Sequence, residues 1–217
     1  MFTKRDFYFS VITGLITGFI AWRIFVFLRL PEFAGISYVW LAVFVPVLWI
    51  LGVSLGYFLG RWLAFFNQFG KFSAVGFTNA AVYFGILNFL IFWSDINKGV
   101  WYSVFAAIGF VIATLHSYFW NKFWVFSQPE ADQLLADANI SDGNSKNKVN
   151  GEELGKFFTT YVVAGLVNIG IASGLVNFLD PVFGFNGDQW ANIGGIAGSA
   201  VALIVSFVGV KLAVFRK

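Results

Sequence analysis

Six long stretches of the sequence contain no charged side chain, and each approaches or exceeds the length that crosses a bilayer. They hold 16, 28, 23, 23, 23 and 22 residues. The residues that bound them are Asp6 and Arg23, Glu32 and Arg61, Lys71 and Asp95, Lys98 and Lys122, Lys156 and Asp180, and Asp188 and Lys211. A helix needs about 20 apolar residues to span the hydrocarbon core. The first stretch is short unless its helix continues past Arg23 to about Leu28. The sequence therefore predicts an all-α polytopic membrane protein with six transmembrane helices.

The composition supports this class and argues against several functions. Apolar residues make up 59% of the chain and charged residues 12%, whereas soluble domains carry roughly 25% charge. The chain has no cysteine, which excludes disulfides and thiolate metal sites. No basic block or stacking motif indicates nucleic-acid binding. We expect no cofactor.

Residue types that would support catalysis are scarce. The single histidine, His116, is interpreted as a packed or interfacial residue. No Asp or Glu is expected inside a span, which argues against paired-carboxylate catalysis and against a carboxylate proton relay in the membrane. The sequence therefore predicts a protein that is not an enzyme.

The basic residues predict the orientation in the membrane. Eleven of the 14 Lys and Arg residues lie in the two termini and in the second and fourth connections, and only Arg29 and Lys98 lie in the other connections. Basic residues accumulate on the cytoplasmic side. We therefore predict a multi-pass protein of the cell (inner) membrane with cytoplasmic N- and C-termini.

An internal repeat organises the last two thirds of the chain. A gapless shift of 89 residues aligns Phe72–Phe126 with Tyr161–Phe215 and gives 14 identities in 55 positions. The identities include polar residues that apolar composition alone would not align, such as Asn79 with Asn168 and Lys122 with Lys211. Each unit is a hairpin that starts and ends on the same side, so the two units have the same topology. An axis along the membrane normal should relate them.

The repeat divides the chain into four segments. Residues 1–69 form an N-terminal transmembrane hairpin, 70–126 the first hairpin repeat, 127–155 a linker and 156–217 the second repeat. The linker is polar and rich in Asn, Asp and Ser, so it is predicted to be a flexible cytoplasmic segment. Glycines at positions 14 and 18, and at 52, 56 and 60, indicate close helix packing in the N-terminal hairpin.

Two groups of polar residues are candidates for substrate binding. Asn79 and Asn168 lie about two turns into the membrane from the cytoplasmic side. An intramembrane Asn is either interhelical glue, worth about 1 kcal/mol, or part of a polar patch for a head group that moves through the bilayer. Lys122 and Lys211 lie at the cytoplasmic boundary. They either anchor the helix ends or, with Arg61 nearby, hold a phosphate as compact charges.

At these residues the chain resembles the GtrA-like family of small membrane proteins. The family pattern opens with a basic and aromatic start and a Gly-x-x-Asn step, matched by Lys71, Phe72, Gly76 and Asn79. It ends with Ser…Asn-basic-x-Trp-Val-Phe, matched by Ser117, Asn121, Lys122, Trp124, Val125 and Phe126. The second copy keeps Ser206 and Lys211 but has Val210 and Ala213 in place of Asn and Trp. The resemblance covers about Gly70 to Lys217, so the N-terminal hairpin falls outside it.

The resemblance implies a flippase that translocates a polyprenyl-phosphate-linked monosaccharide across the cytoplasmic membrane for cell-surface polysaccharide biosynthesis. It also implies membrane lipid and a membrane glycosyltransferase as partners, and a homo-oligomer is a further expectation. The substrate-binding residues would be Ser117, Asn121, Lys122, Ser206 and Lys211, together with Asn79, Asn168 and Arg61. An alternative is a non-transporting membrane subunit that recruits or positions a glycosyltransferase, and a third is a transporter of small soluble molecules.

Overall fold

A computed structural model describes residues 2–32, 35–63, 65–125 and 151–213 of the chain. All the regular structure in these residues is helical. The helices are α1 (Lys4–Phe27), a 3-10 turn (Tyr38–Trp40), α2 (Leu41–Leu59), α3 (Phe65–Ser94), α4 (Gly99–Trp120), a π-helical turn (Asn121–Val125), α5 (Gly151–Phe178) and α6 (Gly187–Ala213).

Five helices in the described part of the chain are long and apolar enough to span a membrane. The spans are Lys4–Phe27, Tyr38–Leu59, Phe66–Ser94, Gly99–Val125 and Tyr161–Phe178. They match the first five predicted stretches, and the first helix does continue past Arg23, because its C-cap is Leu28. The sixth predicted stretch coincides with α6, and its crossing of the membrane stays a prediction.

Two boundaries differ from the sequence-based expectation. α1 begins at Lys4, so Asp6 lies inside the first spanning helix. The expectation that no span contains an acidic residue is therefore wrong. α5 begins at Gly151, so the end of the predicted linker, residues 151–155, is helical. Residues 127–150, the rest of that linker, lie outside the described residues.

Small residues bring α1 and α2 of the N-terminal hairpin into close contact. A Cβ atom at Gly14 would lie 2.4 Å from Pro46 Cα, and one at Gly18 would lie 2.2 Å from the Leu41 carbonyl oxygen. Any larger residue would therefore meet backbone, which does not yield easily. The packing role predicted for these two glycines is confirmed. Gly52 differs, since a Cβ atom there would meet nothing within 4 Å.

The two later hairpins share one buried core. α3 packs on α4 and α5 on α6, while α4 also contacts α5 and α3 contacts α6. Three pairs related by the 89-residue shift lie together in this core: Tyr83 and Ala172, Leu87 and Val176, and Tyr102 and Ala191. A rotation about an axis along the membrane normal would bring equivalent residues of the two hairpins together in this way. The superposition of the two hairpins by such a rotation stays a prediction.

Candidate functional site

A buried carboxylate ties the N-terminal hairpin to the first repeat. Asp6 is 2% exposed, and its Oδ1 lies 2.7 Å from Lys71 Nζ and accepts a hydrogen bond from Trp124 Nε1 at 3.0 Å. Its Oδ2 accepts from the Tyr57 hydroxyl at 3.0 Å and from the Thr3 hydroxyl and backbone N–H at 2.8 and 3.0 Å. Four separate parts of the chain therefore supply donors to one side chain.

The Asp6 carboxylate neutralises Lys71, the basic residue at the start of the family pattern. Lys71 is half-buried, and its ammonium also lies 5.2 Å from the centre of the Tyr57 ring. Losing one member of a buried ion pair leaves the other charge without a partner, at a cost of about 3–5 kcal/mol. The Asp6–Lys71 pair therefore fixes α1 against α3.

Sequence reasoning missed Asp6, because its charge was taken as the boundary of a span. Thr3 and Asp6 carry a signal that could have corrected this. Ser or Thr followed three residues later by an acidic residue is typical of a helix N-terminus, and here Thr3 and Asp6 form such a reciprocal capping box. The pattern predicts that the helix starts before Asp6 and contains it.

Arg61, a predicted site residue, lines a cavity of about 540 Å³ next to this cluster. The cavity lies between the end of α2 and the start of α3, and Tyr57, Ser54 and Asn67 contribute polar side chains to it. Arg61 is exposed, and its guanidinium lies 5.7 Å from the centre of the Phe58 ring. Among the described residues it forms no ion pair. Its charge is thus available to an anion that enters the cavity.

The two repeat-related asparagines have different environments. Asn168 is 2% exposed; its Oδ1 accepts from the Tyr83 hydroxyl at 3.2 Å, and its Nδ2 donates to Ser199 Oγ at 3.0 Å. It therefore links α3, α5 and α6. Asn79 Oδ1 is buried and has no hydrogen-bond partner among the described residues.

The departure of the two repeats from symmetry explains this difference. The counterpart of Tyr83 in the second repeat is Ala172, and the counterpart of Ser199 in the first is Phe110. Neither Ala172 nor Phe110 has a side-chain group that could bond an amide. The partners that satisfy Asn168 are therefore missing for Asn79.

A second amide pair connects the repeats nearer the predicted external side. Asn88 and Asn192 each donate to the other's side-chain oxygen at 2.8 Å, and both are buried. Asn88 Nδ2 also reaches the Phe84 carbonyl oxygen, and Asn192 Nδ2 that of Asp188. With these bonds the pair links α3 to α6, as expected of interhelical glue.

The closing segment of the first repeat contains two bonded pairs. Asn121 Nδ2 donates to Ser117 Oγ at 3.1 Å, and Asn121 Oδ1 is buried with no partner in the described part of the chain. Trp120 Nε1 donates to His116 Nε2 at 2.8 Å. His116 thus packs within its own helix. The side chains of Lys122, Ser206 and Lys211, which were predicted to bind substrate, lie outside the described residues.

The predicted site residues with described side chains occupy different places. Ser117 and Asn121 contact each other, Asn168 joins three helices and Arg61 lines the cavity beside α2. Tyr57, Lys71 and Trp124 contact Asp6 and were not among the predicted residues.

Long apolar helices that enclose buried amides and one neutralised ion pair define a multi-pass helical membrane protein. Residues 71–215 match the family model described as GtrA/DPMS, transmembrane domain. The chain belongs to this family, whose members are associated with handling sugar phosphates on polyprenol. The match confirms the resemblance drawn from the motifs. No curated protein and no solved structure matches the chain.

Proposed function

We propose that the protein flips a polyprenyl-phosphate-linked monosaccharide across the cell membrane to supply cell-surface glycan synthesis. The observation that carries the proposal is the family match over residues 71–215 on a chain with five helices that could span a bilayer. The protein moves its substrate without catalysing covalent chemistry. A membrane glycosyltransferase uses the sugar on the far side.

The physical task is to carry a polar head through hydrocarbon while the lipid tail stays in the bilayer. Passage of bare hydroxyls and a phosphate through the apolar core is prohibitively costly. Protein groups must therefore replace water along the path. Asn79 Oδ1, a buried acceptor with no partner among the described residues, supports the proposal because it could accept a hydrogen bond from a sugar hydroxyl.

Asn168 has a different role in this proposal. Its oxygen and nitrogen are both bonded to protein groups, so it shapes the path by holding helices together. Lys122 and Lys211 meet the phosphate at the cytoplasmic boundary.

Flipping by the purified protein in liposomes tests the proposal. We expect proteoliposomes to move a fluorescent polyprenyl-phosphate sugar between leaflets faster than protein-free liposomes. Protein unfolded before reconstitution is the control. If native and unfolded protein gave the same rate, while the protein co-purified with a glycosyltransferase and raised its activity, the non-transporting subunit would be the correct function.

A further inference from the structure

The N-terminal hairpin lies outside the matched family domain, yet it forms a groove and a cavity with that domain's first helix. The groove has a volume of about 260 Å³ and runs between α2 and α3. It is lined mainly by apolar residues from Leu48 to Leu59 on α2 and from Phe66 to Phe77 on α3. Twelve residues of helix correspond to about 18 Å. The groove therefore reaches about halfway into a hydrocarbon core of about 30 Å.

The groove is open beside Gly52. Gly52, Gly56 and Gly70 all line it. A Cβ atom at Gly52 would meet nothing within 4 Å, whereas one at Gly56 or Gly70 would approach the facing helix at 2.7 or 3.1 Å. The space beside Gly52 is consequently free for a ligand. Two large side chains of its α2 wall, Leu48 and Leu55, are about half exposed. An apolar chain could thus enter it sideways from the bilayer.

The groove ends where the cavity with the cation begins. Leu59 and Phe66 line the groove, and Gly60, Arg61 and Asn67 line the cavity on the adjoining turns of the same helices. Lys71 is neutralised by Asp6, whereas Arg61 forms no ion pair among the described residues. An apolar slot with an uncompensated guanidinium at one end complements a lipid whose long hydrocarbon tail carries a phosphate.

We infer that α2 and α3 form a binding site for a prenyl phosphate, with the prenyl chain in the Gly52 groove and the phosphate at Arg61. The assignment rests on the proposed function for its class of lipid. It gives the N-terminal hairpin a role of its own, because the hairpin supplies Arg61 and one wall of the groove. Arg61 binds the phosphate through charge-assisted hydrogen bonds, and Ser54 and Asn67 add polar contacts.

Binding of radiolabelled farnesyl phosphate to the purified protein in nanodiscs tests the site. Arg61→Gln should weaken binding by at least about ten-fold, because a charge-assisted bond is lost. Gly52→Leu should weaken it about as much, because the new side chain fills the groove and each displaced methylene is worth a few-fold. Both variants should elute as folded protein, since Arg61 is exposed and Gly52 has free space around it.

Each variant has a matched control. Arg23 is also exposed and its guanidinium lies 5.6 Å from the Trp22 ring centre, so Arg23→Gln removes a similar charge elsewhere. Gly170 is exposed and equally free of neighbours, so Gly170→Leu adds the same bulk to α5. Both controls should bind farnesyl phosphate like the parent. Farnesol and inorganic phosphate, offered separately, should compete at least about ten-fold more weakly than unlabelled farnesyl phosphate.

Three results would overturn the inference. The first is parental binding of farnesyl phosphate by both Arg61→Gln and Gly52→Leu. The second is competition by inorganic phosphate as strong as that by unlabelled farnesyl phosphate. The third is displacement of the radiolabel by phosphatidylglycerol as strong as that by farnesyl phosphate, which would indicate a general phospholipid site. The liposome assay separates this site from the function. If both variants bind farnesyl phosphate and flip lipid like the parent, the proposed binding site is wrong and the flippase function stands. If both variants lose binding but the parent protein does not flip lipid, the binding site is supported and the flippase function is wrong.

Discussion

Asp6 shows how strongly one residue can depend on distant partners. Its carboxylate forms an ion pair with Lys71 and accepts hydrogen bonds from Tyr57 and Trp124. These three partners lie 65, 51 and 118 residues away in sequence. A single sequence shows charges at the edge of an apolar stretch, but it does not show which of them meet. The buried pair could therefore not be predicted, although the capping pattern places Asp6 inside a helix.

Replacing Asp6 by Asn should destabilise the protein by about 3 kcal/mol, because Lys71 would keep its charge without a counter-ion. The value lies at the lower end of the range for buried pairs, since Lys71 retains 14% exposure. Thermal unfolding in detergent, followed by size-exclusion chromatography, measures the effect. Asp180→Asn, at an exposed position, is the control. Adding Lys71→Met to Asp6→Asn should recover part of the loss, and a further loss in the double variant would contradict the pairing.

The repeat-related asparagines give a second test at this scale. Asn168→Ala should lower thermal stability by about 1 kcal/mol, since it removes bonds between helices. Asn79→Ala should leave stability nearly unchanged, because its Oδ1 has no partner among the described residues, and should slow flipping in liposomes. The reverse pattern, with Asn79→Ala unfolding first and flipping at the parental rate per folded molecule, would make Asn79 a structural residue.

The two lysines of the closing segments provide a third test. Lys122→Gln should reduce flipping about ten-fold, because a charge-assisted bond to phosphate is worth about 1.5–3 kcal/mol. Lys211→Gln should have a smaller effect, since its segment has Val210 and Ala213 where the first repeat has Asn121 and Trp124. Transport is compared at matched protein abundance. Parental rates for both variants, singly and combined, would leave the lysines as membrane anchors.

At the scale of helices, most of the described architecture could be predicted from the sequence. Charge-free runs mark helices because a charged side chain at the bilayer centre is costly. The first run is too short on its own, and its helix does extend beyond Arg23. Gly14 and Gly18 correctly indicated a close contact of α1, whereas Gly52 of the second glycine stripe makes none. The 89-residue shift aligned Asn79 with Asn168 but could not predict their different contacts. Those contacts depend on Tyr83 and Ser199, which the opposite repeat lacks.

The packing of α1 on α2 makes a specific prediction for Gly14. Gly14→Ala should lower stability by about 1–3 kcal/mol, since its Cβ would overlap the Pro46 backbone and force the helices apart. Gly76→Ala is the matched control, because a Cβ there meets nothing within 4 Å, and an alanine also favours helix over glycine. Thermal unfolding of both variants gives the comparison. Equal unfolding temperatures would show that α1 and α2 are not in close contact at Gly14.

At the scale of the whole molecule, the position of every site residue relative to the membrane depends on the topology. The prediction rests on eleven basic residues on one side and two on the other. It places Arg61 and the Asp6–Lys71 pair at the cytoplasmic side and the connection between α5 and α6 outside. A substrate phosphate would then first meet the protein on the side that holds Arg61, Lys122 and Lys211.

The absence of cysteine from the chain allows a direct test of this topology. A cysteine at Asp180, an exposed residue just after α5, should react with a membrane-impermeant maleimide on intact cells, because five crossings from a cytoplasmic N-terminus put it outside. A cysteine at Ser145, in the predicted cytoplasmic linker, should react only after permeabilisation. The cysteine-free parent controls for background labelling. The opposite labelling pattern would mean that the protein has the inverted orientation, with Arg61 on the external side. Labelling of both cysteines in intact cells would mean that α5, which lies between them, does not cross the membrane. The predicted count of six crossings would then be wrong.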